Sequence, residues 1–119
     1  MIIWIASYPK SGNTWIRSFL TAYYFCENGI FDINKLNLIE DYPNKQFFKE
    51  KVKQGEIHKH WETSQKNIRD QKKVKFLKTH NSLITAFGND FTKPEYTLGV
   101  IYVIRDPRNV ITSVKNHND

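Results

Sequence analysis

Two short runs of this chain are apolar at nearly every position, Met1-Ile2-Ile3-Trp4-Ile5 and Leu98 to Ile104, and between them Val74 to Thr79 sets Val74, Phe76 and Leu77 among two lysines and a threonine as a further strand. An antiparallel strand with one wet face alternates apolar and polar residues. A strand covered on both faces reads as a continuous apolar run instead. The first run predicts a strand over about Ile2 to Ala6. A helix follows to about Cys26, capped by Asn13 or Thr14, with Ile16, Phe19, Leu20 and Tyr23 as the inward stripe. Asn28-Gly29 supplies its stop. Phe31 to Tyr42 is irregular, with Asp32, Asn34, Asn37 and Pro43 marking turns. Asn44 to Gln54 reads as a short amphipathic helix carrying Phe47, Phe48 and Val52 and closed by Gly55, and a further helix spans His58 to about Gln71 with Trp61 in the core. Thr85 to Tyr96 reads as a loop. After the third strand, Asp106 is placed to cap a helix with Pro107 in its first turn and Val110, Ile111 and Val114 toward the sheet.

Strands separated by helices imply right-handed crossovers, a central parallel sheet and helices on both faces, a three-layer α/β/α class. Ligands of such sheets bind outside the carboxyl ends of the strands. Three polar clusters fall at those ends: Tyr8–Thr14, Lys78–His80 and Arg105–Ser113. Three separated segments therefore aim chemistry at one edge.

At 119 residues the chain has room for one domain with a real core, so residues 1–119 are read as a single domain. Aromatic residues make up 14%, which argues against disorder. Met1 leads into an apolar segment without the basic region of a signal peptide, and no stretch reaches the roughly 18 apolar residues of a membrane span. The expectation is a soluble, cytoplasmic protein without a membrane span. Cys26 is the sole cysteine and is assigned to core packing. The net charge of +6 favours an anionic partner without naming it, and the lysines between Lys45 and Lys78 read as a solvated face. His58, His60 and His117 lack the company of other metal ligands, and no metal is expected.

The loop after the first strand, Tyr8-Pro9-Lys10-Ser11-Gly12-Asn13-Thr14-Trp15, is the most specific signal. A strand that turns tightly into a helix converges backbone N–H groups and the positive end of the helix dipole on an anion. In the nucleotide-hydrolase pattern G-x-x-x-x-G-K-[ST] the lysine follows the second glycine. Aligning on Gly12 and Thr14 puts Asn13 in the lysine position and Ser7 where the first glycine would stand. The lysine sits inside the loop, as Lys10. This is a phosphate cradle rebuilt for a different nucleotide.

Read together, the three clusters resemble the sulfotransferases that use 3′-phosphoadenosine 5′-phosphosulfate (PAPS). Tyr8 to Trp15 is similar to that family's Y-P-K-S-G-T-T-W loop, with Asn13 departing from the commonest form. Lys78-Thr79-His80 is similar to its K-T-H. Tyr102 to Ser113 resembles its 3′-phosphate segment, in which an arginine and a serine eight residues later, here Arg105 and Ser113, bind the nucleotide. The resemblance implies a P-loop-like fold and sulfuryl transfer to an acceptor hydroxyl or amine, with His80 as base, Lys10 stabilising the leaving phosphate and Lys78 as a second cation. It implies a 5′-phosphate held by Ser11, Gly12, Asn13, Thr14 and Trp15, with Trp15 stacking on adenine. Family members are usually far longer and carry a later R-K-G segment. The resemblance therefore implies an incomplete domain, completed by a missing C-terminal segment or a partner such as a second copy, and an isolated chain with little or no turnover. The acceptor, a small molecule or a carbohydrate, is left open.

Two other classes share part of this pattern. A P-loop nucleotide kinase has the same strand–loop–helix, but Asn13 in place of lysine argues against it. A non-catalytic nucleotide- or anion-binding module would account for the basic charge. No recognition-helix or aromatic RNA-binding pattern supports a nucleic-acid partner.

Overall fold

The computed structural model describes residues 1–48 and 51–118. The first apolar run forms β1 (Ile2–Ser7), and the loop after it leads into α1 (Asn13–Phe25). A turn of 3-10 helix over Ile33–Leu38 precedes the two-residue strand β2 (Glu40–Asp41). Then come α2 (Trp61–Asp70), β3 (Lys75–Thr79), the small hairpin of β4 (Thr85–Ala86) and β5 (Asn89–Asp90), β6 (Thr97–Val103) and α3 (Pro107–Asn118). The main sheet has the order β2-β3-β1-β6 and every pairing in it is parallel. No helix among the described residues is long and apolar enough to cross a membrane.

Strand parity assigns the layers. Ile2 and Trp4 of β1 and Leu77 of β3 face the same way and build the core with Tyr42, Trp61, Ile68 and Phe91, under α2. Trp4 packs edge-on to Tyr42, with ring centroids 5.2 Å apart, and its indole N–H donates to Thr97 Oγ1 at 3.0 Å. On the opposite face Phe76 meets Tyr24 of α1 at 5.1 Å. The result is the expected α/β arrangement, a parallel sheet with helices on both sides. A polar belt stitches α2 to the loops: Gln65 donates to the Phe91 carbonyl at 2.6 Å, and Tyr42 shares a 2.7 Å hydrogen bond with Ser64. Burial pushes the Tyr42 phenol above its ordinary pKa, and its hydrogen bonds with Ser64 and Gln65 oppose that shift.

Several expectations are corrected. The buried stripe of α1 is Asn13, Arg17 and Thr21, whereas Phe19 and Tyr23 are 63% and 72% exposed. The cause is the irregular segment beside the helix, whose carbonyls need donors. Arg17 supplies them, donating to Ile39 O at 2.6 Å and Leu36 O at 3.4 Å. Among the described residues between Asn44 and Gln54 there is no α-helix. Lys45–Phe47 and Gln54–His60 are separate 3-10 segments, and residues 49 and 50 lie outside the described residues. The broken backbone delivers Phe47 and Ile57 to the core individually. The second helix accordingly begins at Trp61, and the loop expected over Thr85 to Tyr96 contains the β4–β5 hairpin.

β6 closes one edge of the sheet, and Leu98, Val100, Tyr102 and Ile104 remain more than half exposed along it. Of the three α3 residues expected to face the sheet, Val110 is buried and Ile111 is 70% exposed. The radius of gyration is 15.4 Å, against roughly 13–14 Å for a compact chain of this length.

Deleting packing atoms should discriminate the observed helix face from the one that spacing suggests. Leu77→Ala should lower unfolding free energy in urea titration by about 2–5 kcal/mol, and Phe19→Ala by no more than about 0.5 kcal/mol. Equal losses would contradict the assigned orientation of α1.

Candidate functional site

The site is built where β1 becomes α1. Lys10 (φ 64°) and Gly12 (φ 105°) both adopt left-handed backbone. At Gly12 an added Cβ would meet Val103 only at an ordinary 3.9 Å, so the requirement for glycine is conformational and not spatial. At Lys10 no such relief exists, and a left-handed L-residue costs about 1–2 kcal/mol. Strain of this kind persists where the surrounding structure imposes it, often at ligand sites.

Gly12 is the N-cap of α1, and no side chain caps the helix. The first α-helical bond is Ile16 N–H to Gly12 O at 3.2 Å. The amides of Gly12, Asn13, Thr14 and Trp15 are therefore the donors that a helix start leaves without an intrahelical acceptor. The Ser11 amide is not among them, because it donates to Tyr8 O at 3.3 Å and closes the turn. The unengaged amides of the helix start thus run over Gly12 to Trp15, and that of Ser11 is taken up by the turn.

A cavity of about 320 Å³ opens on this helix start. Pro9, Lys10, Gly12, Asn13, Thr14, Trp15, Lys78, His80, Arg105 and Ser113 line it. Nine of the ten candidate residues, scattered over more than a hundred positions of sequence, meet here. Ser11 does not: it faces the neighbouring groove beside Tyr8 and Tyr102. The cavity holds three cationic side chains, and no carboxylate is among the described residues that line it. Trp15 is 78% exposed at its rim.

The side chains are held in different ways. Arg105 donates to Lys10 O at 3.1 Å, which ties the end of β6 to the loop. Asp106 caps α3 by accepting from the Arg108 amide at 2.9 Å, as expected. Hydrogen bonds from Arg108 hold the Asp106 carboxyl below its usual range. Arg108 is thereby an outer-surface partner of Asp106, not a cavity residue. Lys78 is already paired: its Nζ lies 3.2 Å from Asp41, which also sits 3.6 Å from Arg17. Burial pulls the Arg17 guanidinium below its ordinary value and Asp41 opposes that shift. Lys78 accordingly brings less uncompensated charge to the cavity than Lys10 or Arg105.

His80 follows the end of β3. Its Nδ1 lies 2.7 Å from the Ser7 carbonyl and 3.3 Å from Ser7 Oγ. Asn13 turns its side chain inward, donating from Nδ2 to Ile5 O at 3.1 Å and Ser7 Oγ at 3.0 Å. Its Oδ1 is buried without a partner, a debt of about 1–3 kcal/mol. Only the main chain of Asn13 is therefore turned to the cradle. Ser7, Arg17 and Asp41 escaped the sequence reading. Their partners are distant in the chain, and only the parity of Ser7 with the inward Ile3 and Ile5 hinted at its place.

A family model described as the sulfotransferase domain matches residues 2–119. No curated protein and no solved structure matches the chain. The family match spans all the elements that bring the loop, His80 and Arg105 together, and the chain belongs to the sulfotransferase domain family.

Proposed function

We propose that the chain binds PAPS as sulfuryl donor and acts in transfer to an acceptor hydroxyl or amine. The observation that carries this reading is the convergence of four helix-start amides, Lys10, Arg105 and Ser113 on one cavity lined by no described carboxylate. The fit is to a ligand with two separated anionic groups. The Gly12–Trp15 amides and Lys10 suit one, and Arg105 with Ser113 suits the other, the guanidinium offering a planar fork. Trp15 offers an exposed aromatic face for the base.

When bound, the donor supplies an activated sulfuryl group. The residues of the chain then provide position and charge. Lys10 holds an ammonium beside the helix start, where negative charge on a departing phosphate is neutralised. His80 has Nε2 clear of the Ser7 contacts made by Nδ1 and accepts the proton of the acceptor O–H or N–H there. Lys78, restrained by Asp41, serves as a second, partly compensated cation. The domain is read as a single unit over residues 1–119, and completion of the site by further chain or a second copy belongs to the same proposal.

Two measurements test the reading. Calorimetry with 3′-phosphoadenosine 5′-phosphate should detect binding to the unmodified chain, and Lys10→Ala and Arg105→Ala should each weaken it about 10- to 100-fold, the scale of one charged hydrogen bond. Absence of binding, affinity indifferent to both changes, or preferential binding of magnesium ATP would contradict it. Lys10→Gly separates function from folding. It should lose the same affinity while stability stays level or rises by up to about 1 kcal/mol, because glycine relieves the left-handed backbone at a modest entropic cost. Destabilisation in urea titration would show that the Lys10 side chain supports the fold.

A further inference from the structure

The sulfotransferase reading makes His80 the base; the structure also indicates how such a base would be held. His80 Nδ1 faces the Ser7 carbonyl at 2.7 Å. A carbonyl oxygen can only accept, so the hydrogen of the neutral ring belongs on Nδ1 and the basic lone pair on Nε2. A free histidine side chain prefers the opposite tautomer, with the hydrogen on Nε2. The arrangement around Ser7 therefore selects the less common form.

The Ser7 hydroxyl lies 3.3 Å from the same ring nitrogen, and its oxygen is fixed by the Asn13 amide at 3.0 Å. Asn13 cannot be turned over. A flipped amide would set Oδ1 against Ile5 O, two acceptors facing each other, where Nδ2 now donates at 3.1 Å. Ser7 and Asn13 are both buried, and the Asn13 oxygen goes without a partner to keep both donors in place. Asn13 departs from the threonine of the Y-P-K-S-G-T-T-W loop that the sequence resembles, and its side-chain amide is what braces Ser7 here.

We propose that Asn13, acting through Ser7, is a positioning residue that holds His80 as the Nδ1–H tautomer with Nε2 available to the cavity. The proposal rests on the reading of His80 as base. In the transfer step the acceptor's proton moves to Nε2, while Nδ1 keeps its own hydrogen on the Ser7 carbonyl. The resulting imidazolium is braced by neutral oxygens and not by a carboxylate.

Nitrogen-15 NMR of the full chain, labelled at histidine and recorded above the titration of the ring, reads the tautomer directly, with His80→Gln identifying the resonances. The unmodified chain should show a protonated-type Nδ1 and an unprotonated-type Nε2. Asn13→Ala and Ser7→Ala should each reduce the Nδ1–H share to half or less, and Ser7→Thr, which restores a hydroxyl, should keep it near complete. A merely structural role for Asn13 would leave the nitrogen pattern of a folded variant unchanged. An Nε2–H ring in the unmodified chain overturns the proposal, as does an unaltered pattern in folded Asn13→Ala. Where Asn13→Ala does not fold, Asn13→Ser serves in its place: its shorter side chain withdraws the donor from Ser7 Oγ and should lower the Nδ1–H share likewise, and an unaltered pattern there overturns the proposal. Nucleotide affinity on the same samples is a separate readout. Its absence in the unmodified chain counts against the donor reading, whereas the tautomer alone decides the positioning.

Discussion

Parallel pairing of β1 with both β3 and β6 is the constraint on which everything at the site depends. The register sets Ala6 beside Thr79 on one side and Ser7 beside Val103 on the other. Strands that run the same way in register end at the same level, so the residues just beyond them, the Tyr8 loop, His80 and Arg105, are delivered to one edge. A slip by one residue would reverse the facing of a strand. It would carry Trp4 or Leu77 out of the core as surely as it would carry His80 away from Ser7. The energy that fixes the register lies in the buried apolar face, and the site inherits its precision from that core.

Against this scaffold the loop accepts local costs. Lys10 takes a left-handed conformation with no glycine's freedom, Asn13 buries an oxygen without a partner, and the start of α1 has no side-chain cap. Each runs against what would make a helix start most stable on its own. Together they leave four amides and a lysine turned to a cavity without a carboxylate among its described lining residues, an arrangement that an anion would complete.

β1 was legible because both its faces are covered, and a continuous apolar run carries that information without reference to distant residues; β6 reads the same way in sequence yet keeps Leu98, Val100 and Tyr102 more than half exposed. α1 starts at Gly12 without the side-chain cap expected from Asn13 or Thr14, whereas the start of α3 was legible through Asp106 and Pro107, which act locally. The facing of α1 was not. Helical spacing favours Phe19 and Tyr23 inward, but the neighbouring segment at Leu36 to Ile39 needs donors, and Arg17 answers a demand made some twenty residues away. The broken segment around Phe47 failed for a related reason, since its aromatic ring docks on Tyr42 and under Lys75 without requiring a helix. At the site, residue types that carry their own chemistry, Lys10, His80 and Arg105, could be named in advance. The residues that orient or temper them, Ser7 and Asp41, could not, because their role exists only in the pairing of β1, β2 and β3.

The central claim is that the start of α1 and the end of β6 form one anion site for a nucleotide carrying two phosphate groups. Backbone amide chemical shifts, followed by NMR as 3′-phosphoadenosine 5′-phosphate is added, test it most directly. The account predicts the largest shifts at Gly12, Asn13, Thr14 and Trp15, with a second group at Arg105 and Ser113 that saturates at the same nucleotide concentration. Shifts confined to the lysine-rich surface between Lys45 and Lys73, or two groups saturating independently, would contradict it.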